Sequence, residues 1–358
     1  MSETTGEIWN RYGPTAARSH GRPGRELRPS TPTIDIHAHV FIPTAADYIA
    51  PHLDQSSDSL NRFAAADTKA LNRRQQAERV PRMAGFGERM GDLEAMGLDK
   101  QLVSPAPPQC YYTVPPEVGV RAARLVNDGI AAYVAQHPDR FAALGSVPMQ
   151  DGEAAATELG YAVGTLGFRG VEILTNVAGR ELSDPAFAPF WAKAEELGAW
   201  VFIHPSAFTD GKRLSRFYFS NVIGNPLETT IALHYLIFDG VLERHPGLKI
   251  LAAHGGGFLG GYYGRIDHAW GARSDARGAL PHAPSSYLKR IYFDSIVFTP
   301  EQLRALIANF GADHIMMGTD YPFDMGEYDP IGHLAESGLA QDDLEAIAGG
   351  NARRLFGM

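Results

Sequence analysis

From about residue 33 onward, short apolar runs recur along the chain, separated by segments whose apolar positions return every three to four residues. The runs are TIDIHAH (33–39), KQLVS (100–104), FAALGSV (141–147), RGVEIL (169–174), WVFIHP (200–205), LKILAAH (248–254), IYFDS (291–295) and HIMMGTD (314–320). Each predicts a strand. The segments between them predict helices. In residues 115–137, Val118, Ala122, Leu125, Val126 and Ile130 fall near a 3.6-residue period. Residues 184–198 open with an Asp N-cap followed by Pro and end at Gly198, a C-cap. Strands alternating with helices imply a parallel sheet. Eight such units predict an α/β fold of the (β/α)8 TIM barrel type, whose usual size is roughly 250 residues before insertions.

Two segments depart from this rhythm. Residues 40–92, between the first two runs, are too long for a plain crossover. They contain a polar helical stretch at about 67–80 and then GERMGDLEAMGL (87–98), which reads as the first barrel helix. An insertion leaving the carboxyl end of the first strand is expected to lie over the barrel mouth as a lid or substrate wall. The bland alternative is surface decoration. Residues 1–32 are mostly polar, rich in Arg, Gly and Pro, and aperiodic. They read as an N-terminal extension ahead of a barrel domain spanning 33–358.

Composition narrows the classes. The formal net charge is −9 and no Lys/Arg-rich block stands out, which argues against a nucleic-acid partner. Cys110 is the only cysteine, so no intramolecular disulfide forms and a reducing compartment fits. It sits in SPAPPQCYY with no base nearby, a poor setting for a nucleophile. No apolar run reaches a bilayer-spanning length, and the N-terminus lacks an apolar signal core. A cytoplasmic protein without a membrane partner is the expectation.

The chemistry lies at the ends of the runs. Side chains alternate along a strand, so Asp35, His37 and His39 are expected on one face, inside the barrel mouth, with Ile34, Ile36 and Ala38 towards the helices. An H-x-H pair alone is weak evidence. Here, however, His204 closes the fifth run, His254 the sixth and Asp320 the eighth. All stand at carboxyl ends, where barrel enzymes place their chemistry. Nitrogen and oxygen donors of this kind suit a divalent cation. His37, His39, His204 and Asp320 can all be ligands of a five-coordinate ion, leaving His254 as acid or base. The alternative for His254 is a fifth protein ligand or a helix-entry hydrogen bond. Glycines 255–257 follow it and allow close approach.

At these residues the sequence resembles the aminocarboxymuconate-semialdehyde decarboxylase branch of the amidohydrolase superfamily. The matching pieces are IDIHAH, IHP, the stretch from NPLETTIALHYLIFDG to GGYYGRIDHAW, YFDSIVF and MMGTDYPFDMGE, densest over 225–328. The resemblance implies a (β/α)8 barrel and one divalent metal, zinc first with manganese as the alternative. It implies ligands at His37, His39, His204 and Asp320, with His254 as the acid/base histidine and Asp320 also placed for proton transfer. It implies a homodimer in which Arg265 enters the neighbouring site to hold a substrate carboxylate, and a substrate contact at Phe323. A second substrate arginine is expected after the first strand, where Arg73, Arg74, Arg79, Arg82 and Arg89 are available. The sequence departs from the branch after the HP of the fifth run, where Ser206 and Ala207 replace a Trp.

The expected reaction is metal-dependent, non-oxidative decarboxylation of an unsaturated or aromatic carboxylic acid. The second reading is hydrolysis of a lactone, amide or C–C bond, or hydration, at the same metal. The third is a barrel that binds a ligand without catalysis.

Overall fold

The computed structural model of the chain describes residues 24–54 and 62–358. The expected extension therefore lies, up to residue 23, outside the described residues. Each apolar run forms a strand: β1 (Ile34–Val40), β2 (Lys100–Pro105), β3 (Phe141–Ala143), β4 (Gly170–Leu174), β5 (Trp200–His204), β6 (Lys249–Ala252), β7 (Tyr292–Asp294) and β8 (Ile315–Met316). All neighbours pair in parallel, in the orders β1-β2-β3 and β4-β5-β6-β7-β8.

Two seams close these sheets into a ring. On one side Gly145, just past β3, bridges Val171 of β4, with its N–H donating to Gly170 O at 2.9 Å. On the other, Ile36 N donates to Met317 O at 2.9 Å and His39 N to Tyr321 O at 2.8 Å, so β1 meets the chain leaving β8. The fold is the expected (β/α)8 barrel.

Periodicity explains the outer layer. The helix Pro116–Val134 buries Val118, Ala122, Val126 and Ile130 against the sheet, whereas Leu125 is only half-buried. At 184–198, a single helical turn (Pro185–Phe187) leads into a helix over Ala188–Leu197. Asp184 caps its start through Ala186 N, and Gly198 ends it at φ 58°. No helix among the described residues is long and apolar enough to cross a membrane.

One expectation about β1 fails. Ile34 and Ile36 do not face the helices. They lie inside the barrel, in an apolar cluster with Leu102, Phe202, Leu251 and Met316 from other strands, closed below by Ala352 and Phe356. Asp35 faces outward instead: it accepts from Gln101 Nε2 at 2.8 Å, and Gln101 in turn accepts from Arg89 of the helix Arg89–Met96. The reason is an irregularity in register against β2 between Asp35 and Ala38. A bulge of this kind inserts one extra residue and restarts the alternation. It returns His37 and His39 to the lumen, above the apolar floor, and leaves Asp35 behind.

Candidate metal centre

The bulge places His37 against Phe202 inside the barrel, with ring centroids 4.7 Å apart. His204 is the last residue of β5. His254 and Asp320 follow β6 and β8, and both adopt the left-handed backbone region, at φ 54° and 59°. That region is uncommon for residues other than glycine and is found at functional turns. Beyond His254, Gly257 has φ 67° and packs so tightly that a Cβ would lie 2.2 Å from Pro226 O. Only glycine fits there.

The strand ends therefore converge. Centroids of the His37, His39 and His204 rings are 5.0 to 5.1 Å apart. His254 lies 5.3 Å from His37 and 5.1 Å from His204. The two oxygens of Asp320 divide these partners. Oδ1 lies 3.1 Å from His39 Nε2, 3.4 Å from His37 Nε2 and 3.9 Å from His204 Nε2. Oδ2 lies 3.4 Å from His254 Nε2. His37, His204, His254 and Asp320 also form a compact set, each offering one donor atom within 4.8 Å of the others, that could hold a metal ion.

The donor chemistry fits a cation. His37 Nδ1 donates to Asp294 Oδ2 at 2.7 Å, and His39 Nδ1 to the Pro105 carbonyl at 3.1 Å. A carboxylate and a carbonyl only accept, so both Nδ1 atoms carry the proton. In the neutral rings the two Nε2 atoms then face each other as lone pairs, 3.2 Å apart, with Asp320 Oδ1 beside them. Burial disfavours charge on His37, yet the carboxylates of Asp294 and Asp320 outweigh it and raise its pKa to about 10. Burial pushes His39 and His204 down, as suits neutral imidazole donors. Both ring nitrogens of buried His204 lack a hydrogen-bond partner. An orphaned, lumen-facing imidazole of this kind costs free energy unless something binds it. Burial also works against the Asp320 carboxylate, but hydrogen bonds to His254, His37 and His39 hold its pKa well below the usual range.

Two supporting carboxyl groups escaped the reading of the sequence. Asp294, at the end of β7, accepts from His37 Nδ1 and from the backbone N–H groups of His254 (2.8 Å) and Gly255 (2.9 Å). It fixes the tautomer of one histidine and the backbone of another. Glu172 of β4 is fully buried, 3.6 Å from His39 Nδ1, and burial raises its pKa to about 8. Each is a single acidic residue inside an otherwise apolar run, and that was the available signal. Partners of this kind usually tune metal affinity 10- to 100-fold. Asp294→Asn is expected to weaken the metal about tenfold or more, measured by competition with a chelator.

The other candidates divide. Phe323 meets the His39 ring edge-on at 5.2 Å. Arg79, on the insertion helix Ala66–Ala84, lies 4.8 Å above the Phe323 ring. Arg82 pairs with Glu88 and Asp92, and Arg89 binds the His39 carbonyl from outside the barrel. Arg73 and Arg74 are exposed. Arg79 is thus the insertion arginine that comes over the site. Arg265 is exposed on the helix Gly264–Ala272. Cys110 is buried, and burial pushes its thiol well up, so nucleophilic chemistry there is disfavoured.

A closed parallel barrel whose carboxyl rim gathers four histidines and an aspartate is a metal-binding enzyme scaffold. Comparison with known proteins gives its kin. The amidohydrolase family model matches residues 34–358. The aminocarboxymuconate-semialdehyde decarboxylase of Dictyostelium discoideum is 37% identical over 273 residues, covering 75% of this chain and 76% of that protein. A gamma-resorcylate decarboxylase of a Rhizobium species is 30% identical, covering 74% of this chain and 84% of that protein. The crystal structure of a decarboxylase of 5-carboxyvanillate from Sphingomonas paucimobilis superposes with a TM-score of 0.80 at 27% identity, covering 92% of this chain and 100% of that one. The chain belongs to the amidohydrolase family.

Proposed function

We propose that this chain removes a carboxyl group, without oxidation, from an aromatic or unsaturated carboxylic acid. It is a carboxy-lyase of the amidohydrolase superfamily, and its relatives named above are decarboxylases of such acids. The observation that carries the reading on this chain is the division of labour at Asp320. Its Oδ1 faces His37, His39 and His204, and its Oδ2 faces His254. We assign the first three histidines and Asp320 as ligands of one divalent cation and leave His254 for proton transfer. Zinc is the first expectation and manganese the alternative. When bound, the metal supplies Lewis-acid stabilisation of negative charge developing on the substrate.

The chain's own residues do the rest. His254 is the most exposed member of the cluster, with 15% of its side chain accessible. Its Nδ1 has no hydrogen-bond partner, and its Nε2 is within reach of Asp320 Oδ2. It is placed to hold a proton and pass it to the carbon that loses carbon dioxide. Asp294 holds the His254 backbone through that step. Phe323 offers an apolar face to the substrate ring, and Arg79 lies over it as the substrate-facing arginine of the insertion. Arg265 is assigned to the neighbouring copy of a homodimer, where its guanidinium holds the substrate carboxylate. Its exposure supports this, as do the large apolar surfaces of Phe258 and Tyr262 just before it.

The test is carbon dioxide release from a panel of hydroxybenzoic and muconate-type acids, by metal-loaded and by chelator-stripped protein. Release that depends on metal is expected. Hydrolysis is the second reading, because metal-activated water serves it equally. Labelled solvent oxygen appearing in a product carboxylate, without carbon dioxide, would favour hydrolysis.

A further inference from the structure

Asp324 lies in the loop after β8, four residues beyond Asp320, and the metal centre has no use for its charge. Its Oδ1 accepts from Arg79 Nη1 at 3.2 Å, with the two side chains 14% and 8% exposed. Arg79 also donates weakly to Gln76 Oε1, at 3.4 Å, while its buried Nε has no partner. A guanidinium has five N–H donors, and the Nε–H of this one is enclosed by protein. Arg79 therefore stands over Phe323 with its charge already met by an internal carboxylate.

We propose that Asp324 sets how many carboxylates the site accepts: by pairing with Arg79 it restricts the enzyme to acids whose one carboxyl group is the one lost. The inference rests on the decarboxylase reading and deepens it. With Arg265 of the neighbouring copy assigned to the carboxylate that is lost, a second carboxylate directed away from the metal would need another cation, and Arg79 is the one this chain brings over Phe323. With Asp324 already there, two carboxylates would share one guanidinium in a water-poor mouth. Like charges so placed repel. A neutral substituent, such as a ring hydroxyl, meets no such penalty. Burial already raises the pKa of Asp324, with Arg79 working the other way.

The experiment is calorimetric binding of salicylate and of its dicarboxylic counterpart, hydroxyisophthalate, to the metal-loaded full chain. Wild type is expected to bind the mono-acid more tightly. Asp324→Asn is expected to shift the ratio of affinities towards the diacid by about tenfold or more, and Arg79→Ala added to it should remove that gain. Asp324→Ser, smaller and equally uncharged, must give the same shift and serves if the first variant does not fold. An unchanged ratio in either variant, wild-type preference for the diacid, or binding of neither acid would overturn the proposal. The readout is binding, so the two ideas separate. Discrimination without carbon dioxide release sinks the decarboxylase reading alone, and release with an unmoved ratio sinks the role of Asp324 alone.

Discussion

Asp320→Ala is expected to release the metal and with it all measurable turnover. The loss of affinity should exceed about a hundredfold, the upper end for a merely supporting residue. Among the described residues, Asp320 is the one carboxylate whose oxygen faces His37, His39 and His204 together, at 3.4, 3.1 and 3.9 Å. It also brings negative charge to a centre whose other assigned ligands are imidazoles. Its position is not adjustable, since its backbone N–H donates to the His37 carbonyl at 2.8 Å and its φ is fixed at 59°. Without it, Asp294 does not fill the gap, being committed to His37 Nδ1 and two backbone N–H groups. Elemental analysis of the purified variant, beside circular dichroism to show that it folds, checks this. Metal at the wild-type level would remove Asp320 from the ligand set.

His254→Ala is expected to keep the metal and to lower kcat by about 10²- to 10⁴-fold, the usual contribution of a positioned acid or base. Its nearest donor contact is Asp320 Oδ2, on the far side of the carboxylate from the three histidines assigned as ligands. Its ring is also the most accessible of the four. The compact set of His37, His204, His254 and Asp320 makes the opposite forecast. If His254 is a ligand, the variant loses metal and activity together. Metal content and kcat, measured on the same preparation, therefore decide between the two assignments.

Much of this was legible in the sequence. The apolar runs located every barrel strand, because a strand buried on both faces needs an unbroken apolar segment. Polar residues at the ends of those runs located His37, His39, His204, His254 and Asp320. The orientation of β1 was not legible. Strict alternation put Asp35 beside the two histidines, and the shift against β2 that moves it outside depends on register, which one strand's sequence does not carry. Asp294 and Glu172 passed unnoticed because nothing local says which acid will meet a histidine from a distant strand. Arg79 could not be told from its four neighbours for a similar reason. What selects it is the rotation of the insertion helix over Phe323, a tertiary fact.

The most direct measurement is the anomalous diffraction of a crystal of the metal-loaded protein at the metal's absorption edge. One peak per chain is predicted, at about 2.0–2.2 Å from Nε2 of His37, Nε2 of His39, a ring nitrogen of His204 and an oxygen of Asp320. It should leave His254 Nε2 outside bonding distance. A peak bonded to His254 rather than His39, or a loaded crystal with no peak at this rim, would contradict the account.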